Sequence, residues 1–164
     1  MILNRQRRVP VSVSLLRNFA ERARRALRLP PQSFAVCLVT DAEIARWNRL
    51  YRRKTGPTDV LSFPAVARET KRQKRAPGRR RRRAGRPSLV SRSFLASPGA
   101  YLGDIAIAPG VARRNARRFG RTFDDEMRIL ILHGILHLMG YDHETDTGQM
   151  ERREQRLRRA LGLA

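Results

Sequence analysis

His133, His137 and His143 are all the histidines in the chain, and they fall within eleven residues. Their offsets of 0, 4 and 10 restrict what this stretch can become. On a helix, residues four apart share a face, with Cβ atoms roughly 5–6 Å apart. That gap lets two imidazoles meet one ion at about 2.0–2.1 Å each. Gly140 then permits the left-handed turn that ends such a helix. The turn returns His143 as a third ligand. Three protein ligands leave one position open, the pattern of a catalytic zinc site and not of a closed structural one. A lone histidine is more often a satisfied core residue. Three at this spacing, with a glycine between the second and third, are poorly explained that way.

The same offsets occur in H-E-x-x-H-x-x-G-x-x-H metalloproteases. In those enzymes the Glu after the first His is the general base, and here that position is Gly134. A zincin-type metalloprotease is therefore a competing reading, weakened by the missing carboxylate.

Charge narrows the choice. Thirty-six Lys and Arg against fourteen Asp and Glu give a net charge of +22. Such a balance implies a polyanionic partner, and nucleic acid fits best. Only Lys54, Lys71 and Lys74 are lysines; arginine favours bidentate phosphate contacts and stacking on bases. Genomic base composition can account for arginine over lysine, but not for the size of the charge.

At 164 residues the chain suits one domain with a real core. The single cysteine, Cys37, excludes an intramolecular disulfide and fits a reducing cytosol. It sits in the apolar run 34–39 and is read as a buried, inert thiol. No apolar run reaches the ~18–20 residues of a membrane span, and the N-terminus shows no secretory h-region. The expectation is a cytoplasmic protein without a membrane partner. Residues 1–28 are Arg-rich and nearly free of acid, as transit peptides are, but are read as the first strand and helix.

In order, residues 1–6 form a candidate edge strand. Residues 12–29 form an amphipathic helix, with Leu15, Leu16, Phe19, Ala23, Ala26 and Leu27 at three-to-four spacing. Residues 33–39 read as a short buried strand. Thr40 and Glu43 form a capping box that opens a helix from 41 to about 53. A turn at 54–57 leads to a strand at 59–65, with Pro64 marking an edge or an end. Residues 102–108 read as a strand. Pro109 starts a helix to about 119. Thr122 caps the metal helix, 124–139, whose run Ile129, Leu130, Ile131 and Leu132 predicts burial on all sides. A last helix spans 144–161, with Met150, Leu157, Ala160 and Leu161 inward.

Residues 66–100 differ in kind. Positions 68–92 hold twelve basic residues and one acid, Glu69, hence +11, half the net charge. With almost nothing to bury, 66–100 reads as a disordered insertion loop in a single 1–164 domain. It is either a solvated, self-repelling segment or a phosphate-binding arm.

Three blocks carry a family resemblance. They are Trp47, Asn48, Tyr51, Arg52, Arg53 and Lys54 followed by residues 57–64; then Leu102, Gly103, Asp104 and Ile105; then the histidine motif. Together, in this order, they resemble the YbeY family of bacterial endoribonucleases. The resemblance covers most of the chain outside 66–100. It implies a compact α+β domain, with a mixed sheet of about four strands packed by helices and a zincin-like metal helix. It implies one zinc ion per chain on His133, His137 and His143, with Arg52 near the metal. It further implies a cytoplasmic, single-strand-specific enzyme that matures the 3′ end of 16S rRNA and serves ribosome quality control. The expected partners are single-stranded or ribosomal RNA and the ribosome or its small subunit, not DNA. Two departures stand out. Thr55 follows Lys54 where the family usually has Asp, and the basic loop is longer and more charged than usual.

Such a zinc ion would lower the pKa of its water towards about 7 and polarise a phosphoryl oxygen. Attack by that water and attack by the ribose 2′-OH both remain open. Arg52 would clamp the developing phosphorane charge; the bland alternative is a helix-end arginine satisfying the last carbonyls. Asp142 is the better candidate for orienting a ligand imidazole and Glu126 the lesser, with surface capping open for both. A non-catalytic rRNA-binding assembly factor is the third reading, disfavoured by a ligand set of three histidines and no cysteine.

Overall fold

The computed structural model describes residues 1–65, 101–142 and 146–163. Its elements run β1 (Ile2–Asn4), α1 (Val13–Ala26), β2 (Phe34–Leu38), α2 (Asp41–Arg52), β3 (Val60–Pro64), β4 (Gly103–Ile107), α3 (Pro109–Arg118), α4 (Phe123–Leu138) and α5 (Gln149–Leu161). The four strands form one sheet in the order β1-β2-β4-β3. β1, β2 and β4 are parallel, and β3 lies antiparallel on β4. This is the α+β class and mixed sheet expected from sequence, and Pro64 does lie on an edge strand, where a missing donor costs nothing.

Strand alternation divides the sheet into two unequal faces. Register pairs Val36 with Ile105, Leu38 with Ile107 and Ser62 with Ile105. These side chains point to the face covered by α1, α4 and α5, where the large core lies. α4 is its centre: Met127, Ile131, Leu132, Ile135 and Leu136 have no exposed surface. Each such side chain contributes about 1.5–3 kcal/mol by burial. The opposite face carries Cys37, Leu61, Phe63 and Ala106 and, among the described residues, meets α2 and the start of α3, in a smaller cluster with Ile44, Trp47 and Val111.

That second face corrects one expectation. β2 is buried only at alternate positions, and Cys37 is half-buried. Burial still pushes its thiol pKa up, which keeps it protonated and unreactive. Three further residues lie outside the core that their spacing predicts. Leu15 is 46% exposed, and Ala26 and Ala160 are exposed too. Each sits at the margin of its helix's apolar stripe, where spacing alone cannot tell rim from core.

The last helix begins at Gln149, not at 144. Gly148 has φ +82°, which a continuing helix cannot accommodate. Asp146 caps the helix instead, its carboxylate accepting from the N–H groups of Gly148 and Met150 at 2.7 Å each. The expected loop at 66–100 lies outside the described residues. Its roots do not: the Ala65 N–H donates to the Leu102 carbonyl at 2.8 Å, so the connection leaves and re-enters at one hairpin base.

Candidate metal and phosphate cleft

α4 carries the first two histidines into place. Thr122 caps its start, accepting from the Asp125 N–H at 3.1 Å. At its end Gly140 takes φ +87°. The Gly140 N–H donates to the His137 carbonyl and the Tyr141 N–H to the Leu136 carbonyl, at 2.9 and 3.1 Å. This is a Schellman turn, and it sends Tyr141 and Asp142 back along the cleft. His143 follows Asp142 directly but lies outside the described residues. Beyond it, the Asp146 N–H donates to the Asp142 carbonyl at 3.0 Å.

His133 and His137 are half-buried, and their Nε2 atoms lie 3.1 Å apart. A tetrahedral ion with bonds of about 2.0–2.1 Å would separate two nitrogens by roughly 3.3–3.4 Å. The pair therefore fits a shared ion with a shift of a few tenths of an ångström. The donor set fits as well. His133 Nδ1–H donates to Glu154 Oε2 at 2.9 Å. In the neutral ring this leaves the Nε2 lone pair directed at the shared point. An imidazole held through its outer nitrogen by a carboxylate is the usual support for a metal-bound histidine.

Glu154 is not among the residues singled out from sequence. It lies on the inner face of α5, in phase with buried Met150, Leu157 and Leu161, and is 7% exposed. Burial alone would raise its pKa. The His133 imidazole and the Arg158 guanidinium, both hydrogen-bonded to it, outweigh that and hold it below the ordinary carboxylate range. The signal in sequence is its phase: an acid at a core-facing helix position needs a partner.

Of the two acids near the motif in sequence, Asp142 lines the cleft. Glu126 does not. It is buried in the first turn of α4 and pairs with Arg121 at 3.1 Å.

The facing wall is built by α2 and β3. The capping box at Thr40 and Glu43 fixes where α2 starts. Asn48 holds the turn beyond its end, donating to the Gly56 carbonyl at 3.0 Å. Arg52 is the last helical residue and lines the cleft, as do His133 and His137. Asp59 fastens the start of β3. Its carboxylate accepts from the Val60 N–H at 2.8 Å and from Asn115 on α3 at 2.9 Å. Ser62 donates to the Gly134 carbonyl at 3.2 Å, joining β3 to α4 between the two histidines. The resulting cavity holds about 650 Å³ and is also lined by Tyr51, Thr58, Phe63, Tyr141 and Asp142. Arg52 and the histidine pair thus share one cleft.

Gly134 has a steric reason. A Cβ there would stand 2.7 Å from the Ile105 Cγ2 of β4, itself fully buried. The helix rests too close on the sheet for any side chain, so the metalloprotease glutamate has no room at this position.

Comparison with known proteins agrees. The family model of endoribonuclease YbeY matches residues 1–162. The chain belongs to the YbeY endoribonuclease family. A relative from Koribacter versatilis, named endoribonuclease YbeY, is 36% identical over 163 residues, covering 99% of this chain and 86% of that protein. Another from Solibacter usitatus, with the same name, is 41% identical over 130 residues, covering 79% and 67%. The solution structure of TM1509 from Thermotoga maritima superposes with a TM-score of 0.58 at 26% identity, covering 98% of this chain and 89% of that one. The chain is thus an enzyme of a family that hydrolyses RNA, and the protease and the non-catalytic assembly factor fall away. Among the described residues, no helix is long and apolar enough to cross a membrane.

Proposed function

We propose that this chain is a zinc-dependent, single-strand-specific endoribonuclease, with His133, His137 and His143 holding one zinc ion and Arg52 engaging the scissile phosphate. One observation carries the proposal. Two imidazole nitrogens converge at 3.1 Å, and the outer nitrogen of one is held by a buried carboxylate. When bound, zinc supplies Lewis acidity at a phosphoryl oxygen and an acidified water. The chain's own residues do the rest. Glu154 keeps the His133 proton on Nδ1. Arg52 meets the phosphate with a planar fork, whose two parallel N–H donors match two phosphate oxygens. Its guanidinium also stabilises charge that grows as phosphorus becomes five-coordinate.

The expected substrate is ribosomal RNA, cut in maturation of the 16S 3′ end and in ribosome quality control, in the cytoplasm and in contact with the small subunit. The +22 charge supports a polyanionic substrate. We place the whole chain in one catalytic domain and read 66–100 as a basic insertion in it.

The test measures metal content and cleavage together. Purified protein should carry about one zinc per chain and cut labelled single-stranded RNA but not casein, and chelation should stop the cutting. His137→Ala should lose both metal and cleavage. Stoichiometric zinc in that variant would remove the ligand assignment.

A further inference from the structure

Tyr51 is the most exposed aromatic residue along the cleft, with 63% of its surface open. Exposure of one tyrosine is ordinary; its setting is not. It precedes Arg52 in the chain and lines the same cavity as the histidine pair. Its ring is braced. Phe63 of β3 meets it edge-to-face, with centroids 5.2 Å apart and planes at 78°. Trp47, one turn earlier on α2, meets Phe63 in the same way at 5.9 Å and 90°. Among the described residues no ring lies parallel on Tyr51. The ladder orients the ring and leaves it unstacked.

Single-stranded RNA offers complementary chemistry. Its unpaired bases lie flat on aromatic side chains, and every base has a π-face to offer. A base held in a duplex is already stacked and paired, and must leave the helix to reach such a ring.

We infer that Tyr51 is a nucleobase-stacking subsite, on which an unpaired base next to the phosphate engaged by Arg52 lies flat. This rests on the reading of the cleft as an RNA-cleaving site and adds the origin of its single-strand preference. Tyr51 positions substrate and does no chemistry. Its loss therefore acts on binding more than on turnover, and only for RNA that can unstack.

The experiment uses the full-length, zinc-loaded protein and RNA oligomers containing 2-aminopurine, whose fluorescence falls on stacking. Wild type and Tyr51→Phe should quench it; Tyr51→Ala should not. In cleavage, Tyr51→Ala should raise KM for single strands by roughly 5- to 150-fold, the range that about 1–3 kcal/mol per stacked base implies. Turnover should change by no more than about three-fold, and Tyr51→Phe should restore KM. The Kd for duplex RNA, which the enzyme binds without cutting, should stay put. Leu50→Ala, one residue away and 67% exposed but outside the cleft lining, is the control and should match wild type. Wild-type quenching and KM in Tyr51→Ala would overturn the subsite while leaving the hydrolase reading intact. An equal rise in Kd for single strands and duplex would also overturn it, because that is the signature of a backbone contact. Quenching that depends on Tyr51 in a wild-type protein that cuts no RNA would keep the subsite and remove the hydrolase reading.

Discussion

The two walls of the cleft are made differently. The α4–α5 wall is an extension of the hydrophobic core. His133 and His137 project from a helix whose Ile131, Leu132, Ile135 and Leu136 are fully buried, and Glu154 behind them is 7% exposed. The α2–β3 wall is thin. α2 buries only Ile44 and Asn48, and it presents Tyr51 and Arg52 to solvent. The histidine side thus inherits the rigidity of close packing. The α2–β3 side, more exposed, can change its chemistry at little cost in stability. Damage on the first wall should appear in metal content and melting. Damage on the second should appear in kinetics alone.

Arg52→Ala gives the largest expected effect and the sharpest test of that contrast. Cleavage should fall by about 10²–10³-fold, the usual loss when one donor to transition-state charge is removed. Zinc content and melting temperature should match wild type. Arg52→Lys should recover only part of the rate, since a point charge does not reproduce the fork. Lost zinc in Arg52→Ala would mean that the two walls are not independent.

Glu154→Gln comes next, on the other wall. The amide still accepts from His133 Nδ1–H but carries no charge for Arg158 or for the imidazole. Outer carboxylates of this kind support 10- to 100-fold in metal affinity or activity. Competition with a zinc-binding dye should show a loss in that range, with rate restored at saturating zinc. An unchanged affinity would demote Glu154 to a partner of Arg158.

Gly134→Ala is smaller and purely structural. The added methyl meets Ile105, a branched, fully buried side chain with no free direction. Overpacking of this kind costs about 1–3 kcal/mol. A lower denaturation midpoint with an unchanged slope is the expected reading. A variant as stable as wild type would show that α4 rides loosely on the sheet, against the rigid-wall view.

Legibility from sequence divides along a similar line, between local patterns and contacts across the fold. The capping box at Thr40, the apolar run of α4, the left-handed turn at Gly140 and the four-residue spacing of His133 and His137 are local, and each appears as expected. Contacts between distant segments were not legible. Glu154 comes from a helix 21 residues along the chain. Asp59 reads as part of a strand, yet its work is to tie β3 to α3 through Asn115. The need for Gly at 134 depends on Ile105, a neighbour only once α4 lies on β4. The same limit explains α5, where a run of polar residues hid the cap at Asp146 and the start at Gln149.

The smallest expected effect on either wall comes from deleting residues 68–92, which carry half the net charge. The hairpin base explains why the body should tolerate it. Pro64 pairs with Gly103, and Ala65 donates to Leu102, so the two ends meet regardless of the length between them. Closure entropy grows only with the logarithm of loop length, so cutting the connection to under a third should change stability by about 1 kcal/mol. Zinc content should not move. RNA binding should, if the arginines meet phosphates: each neutralised phosphate of a single strand contributes about 0.7 to the slope of log affinity against log salt. The deletion should therefore flatten that slope by several units and weaken binding most at low salt, without altering which bases are preferred. Salt titrations of the full chain and the deletion, run beside their melting curves, decide it. Identical slopes would assign 68–92 to solvated charge and leave the RNA to Arg52, Tyr51 and the basic helix faces.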